Sequence, residues 1–167
     1  MATYQPPAHP RGLLRWGYKL PVILYRLHLG WLLGHRCLLL VHRGRVSGQI
    51  HRTALEVVSY DPATRESAVV SAYGERADWH RNIQAHPPLV VQTGRDTYTP
   101  RFRLLDPDER ERGHVALSAY QRRYPRASGA VMRFLGHDYD GSEAGLRALA
   151  DTVVMVAFSP IGTASPA

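Results

Sequence analysis

The sequence predicts an α+β domain in which six strands form a small, mostly antiparallel β-barrel with flanking helices. Its 167 residues are 44% apolar, which is enough to build one hydrophobic core. Short apolar runs of strand length recur along the chain between turn-forming residues. Neighbouring runs are joined like hairpins, and this connectivity favours an antiparallel barrel over a doubly wound parallel sheet.

The N-terminal segment differs in character from the rest of the chain. Residues 1–10 are rich in proline and polar groups and are expected to be a disordered lead, whereas residues 11–35 are apolar and aromatic with scattered positive charge. We expect two short amphipathic helices there, at 11–19 and 21–33, with Gly34 ending the second. Arg26 and His28 interrupt the apolar run, so this segment is not predicted to span a membrane, which takes about 20 mostly apolar residues.

The barrel domain is expected to cover residues 36–160, with a flexible tail at 161–167. Its strands are predicted from apolar or alternating runs at residues 37–41, 54–60, 67–72, 89–93, 96–105 and 152–158. The tight pair Gly94-Arg95 joins the fourth and fifth strands in a hairpin. Helices are predicted at residues 78–86, 106–124, 127–135 and 142–150, the second of them opening on a cap residue followed by proline.

Charge and cysteine content narrow the classes of function. The net charge is +7 and Lys19 is the only lysine, so the basic surface is made of arginine, which grips phosphate and carboxylate well. An anionic partner is therefore expected, although no nucleic-acid recognition motif is present and nucleic acid is not the predicted partner. The single cysteine, Cys37, fits a reducing cytoplasm. The nine histidines show no metal-binding spacing, so no metal site is predicted.

A basic glycine turn lies between the first two predicted strands. Two glycines let the backbone turn sharply and present amide groups toward an anion, and the neighbouring arginines can close around a phosphate or carboxylate. The candidate anion-binding residues are Arg43, Arg45, Val46, Ser47, Gly48, Arg52 and Thr53. An ordinary hairpin with solvated arginines explains the same residues and stays open at this stage.

Two later segments add aromatic and amide groups. Trp79, Asn82 and Ile83 lie at positions i, i+3 and i+4 of the helix at 78–86, so they share one face. That face either supports a ligand, or it consists of a core tryptophan beside an asparagine whose hydrogen bonds are made within the protein. Tyr120 and Tyr124, four residues apart on a later helix, either line a substrate pocket or pack in the core.

Taken in order, these motifs resemble the cofactor-binding half of the deazaflavin-dependent nitroreductase family. The resemblance covers roughly residues 35–160, and its specific motifs lie within 38–94. They are the apolar strand and turn at 38–48, Arg52-Thr53-Ala54-Leu55, the segment at 71–74, Trp79 with Asn82, and Pro87. Three positions depart from the family pattern: Val46 replaces a lysine, His51 a frequent arginine and Ala54 a proline.

The resemblance implies a split β-barrel and a cytoplasmic oxidoreductase that uses coenzyme F-420, a deazaflavin hydride carrier with an anionic tail. The tail would lie against the turn around Arg45 and against Arg52. The rest of the cofactor would run along Ser71, Ala72, Tyr73, Gly74 and Arg76 and be supported by Trp79 and Asn82. The implied reaction is hydride transfer to a hydrophobic, unsaturated acceptor such as a quinone, enone or nitro compound.

A non-catalytic alternative stays open. The same barrel would then carry a lipid, fatty acid or quinone at a membrane surface. In either case the apolar faces of residues 11–35 must be buried, and the options are packing on the barrel, peripheral contact with the inner face of the cell membrane, or a homodimer interface.

Overall fold

The computed structural model describes residues 21–27, 29–71, 74–105 and 154–162, together with positions 109, 115, 118, 119, 122 and 123. In these residues the chain forms seven strands, which we number β1 (Cys37–Arg43), β2 (Ile50–Asp61), β3 (Glu66–Ser71), β4 (Val90–Thr93), β5 (Asp96–Tyr98), β6 (Pro100–Leu104) and β7 (Val154–Pro160). The helices with described bounds are α1 (residues 21–26), the 3-10 turns Gly30–Leu33 and Gly74–Arg76, and α2 (Asp78–Ala85).

The strands form a single antiparallel sheet in the order β5-β4-β1-β2-β3-β7-β6. The two strands at the ends of this order, β5 and β6, are separated in sequence only by Thr99. The sheet must therefore curl so that its two end strands come together at Thr99. The amide of Ile161, which follows β7, donates to the carbonyl of Thr99 at 3.1 Å and so continues the β6–β7 ladder to that residue. The predicted antiparallel split β-barrel is confirmed.

The predicted number of six strands is wrong by one. The run at 96–105 was expected to be one strand, but it divides into β5 and β6, which pair with different partners: β5 with β4, and β6 with β7. Pro100 follows the break, and because proline has no backbone N–H it cannot donate a hydrogen bond to a neighbouring strand. The other predicted strands are confirmed, with ends that differ by a few residues; the longest difference is at β2, which starts at Ile50.

The core lies inside the barrel and is built by alternation along the strands. Leu38 and Leu40 of β1 are fully buried, as are Val69 of β3, Val91 of β4 and Phe158 of β7. These residues belong to one cluster that also takes in Trp79 and Ile83 of α2. The helix therefore packs its apolar face against the barrel, as its sequence predicted.

The predicted helix at 21–33 is shorter than expected. Residues 21–26 are helical, and the chain then tightens into the 3-10 turn Gly30–Leu33. Tyr25 lies against Gly30 so closely that a Cβ on Gly30 would be 2.2 Å from the tyrosine ring. The Tyr25 hydroxyl donates to the carbonyl of Cys37 at 2.7 Å, so this part of the N-terminal segment packs on β1.

Several predicted elements lie outside the described residues: the lead at 1–10, the helices at 11–19, 127–135 and 142–150, and all but a few positions of the helix at 106–124. The five described positions between 115 and 123 are helical. Within the part of the chain that the structure describes, no helix is both long and apolar enough to span a membrane.

Candidate functional site

The turn between β1 and β2, residues 44–48, is a compact loop that we call the Arg45 turn. The backbone N–H of Gly48 donates to the carbonyl of Gly44 at 2.9 Å, and Gly48 has a φ of 67°, which glycine adopts without strain. A Cβ on Gly44 would lie 2.8 Å from both His51 Nε2 and Ser47 Oγ. The positive φ favours glycine at position 48, whereas a larger residue at position 44 would require the His51 and Ser47 side chains to shift.

Asn82 of α2 holds the Arg45 turn in place. Its Oδ1 accepts a hydrogen bond from the backbone N–H of Arg45 and another from Nη1 of the same residue, each at 3.0 Å. Nη1 also pairs with Oδ1 of Asp78 at 2.9 Å, but the Asp78 side chain is 81% exposed, so this ion pair adds little stability. Helical spacing brings Asp78 and Asn82 to the same face, four residues apart.

The predicted face of α2 is confirmed as a shared face, and it is buried. Trp79 is 8% exposed, Asn82 5% and Ile83 1%. The Trp79 ring lies 6.4 Å from the ring of Phe158, within the barrel core. Contact between Trp79 and a cofactor stays a prediction, whereas its packing in the core is part of the fold.

His42 contacts two residues of the predicted site, although the sequence motifs did not single it out. Its Nδ1 lies 3.2 Å from Nδ2 of Asn82, and its Nε2 lies 3.1 Å from Oγ1 of Thr53. The signal was present in the sequence, because His42 continues the i, i+2 series of Leu38 and Leu40, which lie in the core.

Burial, together with the neighbouring His51, whose ring is stacked 5.7 Å away, lowers the pKa of His42 to about 4. Only 2% of His42 is exposed. The imidazole is therefore neutral at physiological pH. A neutral ring can accept one hydrogen bond and donate one, which matches its two partners.

The strand register decides on which face of the β1–β2 hairpin the predicted arginines lie. Residues directly opposite in an antiparallel pair project to the same face, and the pairs are Val41 with Arg52 and His42 with His51. Arg43 and Arg52 therefore lie on the outer face of the β1–β2 hairpin and are exposed, while His42 and Thr53 lie on the inner face. The Arg45 turn connects the two faces.

The remaining predicted residues of the turn are open to solvent. Val46, which stands at the position of the family lysine, is 91% exposed. Ser47 is also exposed, and its Oγ accepts from the backbone N–H of Gln49 at 3.3 Å. The tip of the turn thus offers backbone and a hydroxyl but no cation at position 46.

The segment before α2 is a second turn. The fully buried Ser71 ends β3 and donates from Oγ to the carbonyl of Gly74 at 2.7 Å, and Gly74 has a φ of 54°. Arg76 follows in the 3-10 turn and is exposed. Of the other predicted site residues, Ala72, Tyr73, Tyr120 and Tyr124 lie outside the described residues. Within the described part of the chain, no three His, Cys, Asp or Glu side chains are grouped as metal ligands would be.

Residues 27–130, more than half of the chain, match the model of the family described as F-420H(2)-dependent quinone reductase. The chain belongs to this family. It is accordingly a reductase that depends on coenzyme F-420, and the resemblance drawn from the sequence motifs is confirmed. No curated protein matches the sequence significantly.

Several solved structures are similar to the reductase at low sequence identity. An F-420-H(2)-dependent reductase (FDR-A) is 19% identical, with 74% of this chain and 95% of that chain covered and a TM-score of 0.46. A protein of unknown function from Agrobacterium tumefaciens is 17% identical, with 95% and 60% covered and a TM-score of 0.47. A pyridoxamine 5'-phosphate oxidase-related, FMN-binding protein from Nostoc punctiforme is 14% identical, with 90% and 82% covered and a TM-score of 0.45.

Proposed function

We propose that this reductase transfers a hydride from reduced coenzyme F-420 to a quinone or to another hydrophobic, unsaturated acceptor such as an enone or a nitro compound. Membership of the quinone reductase family supports the quinone first. The observation that carries the proposal is the Arg45 turn, a basic glycine turn that α2 holds rigidly through Asn82 at 3.0 Å. A prearranged cationic turn is suited to an anionic cofactor tail because little ordering remains to be done on binding.

The residues present fit such a cofactor in their chemistry. Among the described contacts of the Arg45 side chain, only Nη1 is engaged, so the other guanidinium N–H groups face no described partner. Arg43 and Arg52 are exposed on the outer face of the hairpin, and Arg76 is exposed in the 3-10 turn before α2, so three more guanidinium groups are available. Guanidinium groups bind phosphate and carboxylate through paired hydrogen bonds, so this set compensates for Val46 in place of lysine.

In the proposed reaction the bound cofactor supplies the hydride, and the acceptor gains that hydride and one proton while the cofactor is oxidised by two electrons. The protein's part is to bind and orient the two molecules. Arg45 and Arg52 would hold the tail, and residues from Ser71 to Arg76 would contact the rest of the cofactor. Tyr120 or Tyr124, or a bound water, delivers the proton.

A direct test uses the purified full chain. Titration with the cofactor, followed by quenching of tryptophan fluorescence, should show saturable binding. Mixing the protein with reduced cofactor and menadione as the quinone should then oxidise the cofactor and produce the hydroquinone in equal amounts. Saturable binding without turnover would contradict the proposed quinone, enone and nitro acceptors, and absence of cofactor binding would favour the carrier alternative.

The proposal extends to contact with an anionic membrane surface, where a quinone acceptor dissolves. The N-terminal segment leaves apolar side chains exposed: Ile23 36%, Leu27 61%, Leu29 36%, Trp31 49% and Leu32 57%. Basic groups accompany them, since Arg26 is exposed and Arg95 lies over the Trp31 ring at 5.9 Å. Apolar residues flanked by arginine favour a negatively charged interface.

Co-sedimentation with vesicles tests this contact. We expect the full chain to bind vesicles rich in phosphatidylglycerol and to bind pure phosphatidylcholine weakly. The double variant W31S/L32S should lose binding, while I161S, which changes another exposed apolar residue, should keep it. If all three proteins sediment alike, the segment does not contact membranes. A concentration-dependent dimer in analytical ultracentrifugation would then indicate that a second copy of the protein buries these apolar side chains.

A further inference from the structure

We propose that His42 is a positioning residue, which is held by Thr53, orients the Asn82 amide toward Arg45 and so fixes the shape of the Arg45 turn. The contacts form one continuous chain: Thr53 Oγ1 to His42 Nε2 at 3.1 Å, His42 Nδ1 to Asn82 Nδ2 at 3.2 Å, and Asn82 Oδ1 to the Arg45 backbone N–H at 3.0 Å. It links two strands, a helix and the turn.

The donor and acceptor in each of these hydrogen bonds follow from the contact between Asn82 and the Arg45 backbone N–H. A backbone N–H can only donate, so the Asn82 atom that faces Arg45 must be the oxygen. The Asn82 amide nitrogen then faces His42 and donates to Nδ1. With Nδ1 accepting, the ring proton of the neutral imidazole stands on Nε2 and is donated to the Thr53 hydroxyl oxygen.

The alternative states of the ring do not fit. A proton on Nδ1 would point at the hydrogens of the Asn82 amide, and rotating the amide to relieve this would turn its NH₂ toward the Arg45 N–H. In either case one buried donor would face another donor, which is unfavourable. The tautomer of His42 and the position of the Arg45 turn are therefore coupled.

Charged and titratable groups face His42 from each neighbouring element. His51 stacks on it from β2, Asp78 acts on it from α2, and Arg45 lies beyond Asn82 in the turn. Burial and His51 oppose protonation of His42, while a hydrogen bond with the Arg43 backbone and the charge of Asp78 favour it. The neutral ring, and with it the described chain of hydrogen bonds, is thus the state present near neutral pH.

This inference rests on the proposed function only in its consequence for the cofactor. If the Arg45 turn binds the anionic tail, a loosened turn binds it more weakly. The positioning role itself concerns the free protein, so it can be tested without cofactor.

The test compares T53V, which removes the acceptor for the His42 Nε2–H with little change in volume, with T53S, which keeps a hydroxyl. T97V, on the exposed face of the edge strand β5, is the matched control. The tautomer of His42 is read by long-range ¹H–¹⁵N correlation of the imidazole, and the turn is read by hydrogen exchange of the Arg45 amide. Cofactor titration on the same samples follows.

We expect wild type and T97V to show the Nε2–H tautomer of His42 and a protected Arg45 amide. T53V should show a mixture of tautomers and about tenfold faster exchange of that amide, as expected for loss of one net hydrogen bond, and T53S should restore wild-type behaviour. An Nδ1–H tautomer in wild type, or an Arg45 amide unaffected in T53V, would overturn the positioning role. If T53V loosens the turn but R45A binds cofactor normally, the positioning role stands and the proposed tail site fails.

Discussion

Oδ1 of Asn82 accepts two hydrogen bonds from Arg45, one from the backbone N–H and one from Nη1, both at 3.0 Å. These residues are 37 positions apart in sequence, and the pair joins helix α2 to the turn between β1 and β2. Asn82 is only 5% exposed, and its amide is hydrogen-bonded to Arg45 and to His42. We therefore expect Asn82 to influence a ligand indirectly, by holding the Arg45 turn.

Replacing Asn82 by alanine should therefore change stability and cofactor affinity together. N82A leaves a buried backbone N–H and His42 Nδ1 without their partner, which should cost about 1–3 kcal/mol of unfolding free energy. The loosened turn should also weaken cofactor binding. Urea unfolding and cofactor titration on one sample measure both effects. Lower stability with unchanged affinity would show that the turn does not touch the ligand.

Arg45 and Arg52 should act on the cofactor tail independently. Each alanine variant should weaken binding by about 1.5–3 kcal/mol, as for hydrogen bonds to charged groups. Since the strand register places Arg52 on the outer face and Arg45 leads toward α2, the two should contact separate anionic groups. A double-mutant cycle of binding free energies should then be additive within about 0.5 kcal/mol. Strong coupling would mean that both arginines bind the same anionic group. Unchanged affinity in both single variants would show that neither residue belongs to the site.

Stability should fall with acid through the titration of His42. The pKa of its ring in the folded protein is lowered from 6.5 to about 4 by burial. The unfolded state therefore takes up a proton first, and the stabilisation present above about pH 6.5 is lost as the pH falls toward 4. Burial also lowers the pKa of His80, which acts in the same direction. Melting temperatures between pH 7.5 and 4 measure the trend, and H42F should flatten it. An equally steep profile in H42F would assign the effect to other groups.

Trp79 should be needed for the fold whatever its role in binding. It is 8% exposed and packs on Phe158, so W79A should cost about 3–5 kcal/mol, in the range of large core truncations. W79F keeps an aromatic ring and should cost less. Comparing cofactor affinity of folded W79F with wild type tests the predicted contact: equal affinity would leave Trp79 a core residue only.

The acceptor pocket gives a separate prediction at Tyr120 and Tyr124. If one of them delivers the proton, its phenylalanine variant should lower kcat by about 100-fold, the lower range for a general acid, while cofactor affinity stays the same. Y18F, in the N-terminal segment, serves as the comparison variant. Normal kcat in both Y120F and Y124F would assign proton delivery to bound water.

Local sequence was sufficient for most elements of this reductase. Apolar runs between turn-forming residues predicted β1, β3 and β4, the helical spacing of Trp79, Asn82 and Ile83 predicted α2, and the glycines at 44 and 48 predicted the tight turn. These signals are local because periodicity and turn geometry are properties of neighbouring residues. The order of the motifs also pointed to the family.

The tertiary structure decided what depends on distant pairing. Closure of the barrel splits the run at 96–105, because β5 must pair with β4 while β6 pairs with β7, and only Thr99 lies between them. Register placed Arg52 on the face opposite His42. The junction of Thr53, His42, Asn82 and Arg45 joins residues up to 40 positions apart, and its hydrogen bonds are set by which atoms become buried together. No local sequence pattern predicts these contacts, since they depend on how the helix packs on the closed sheet.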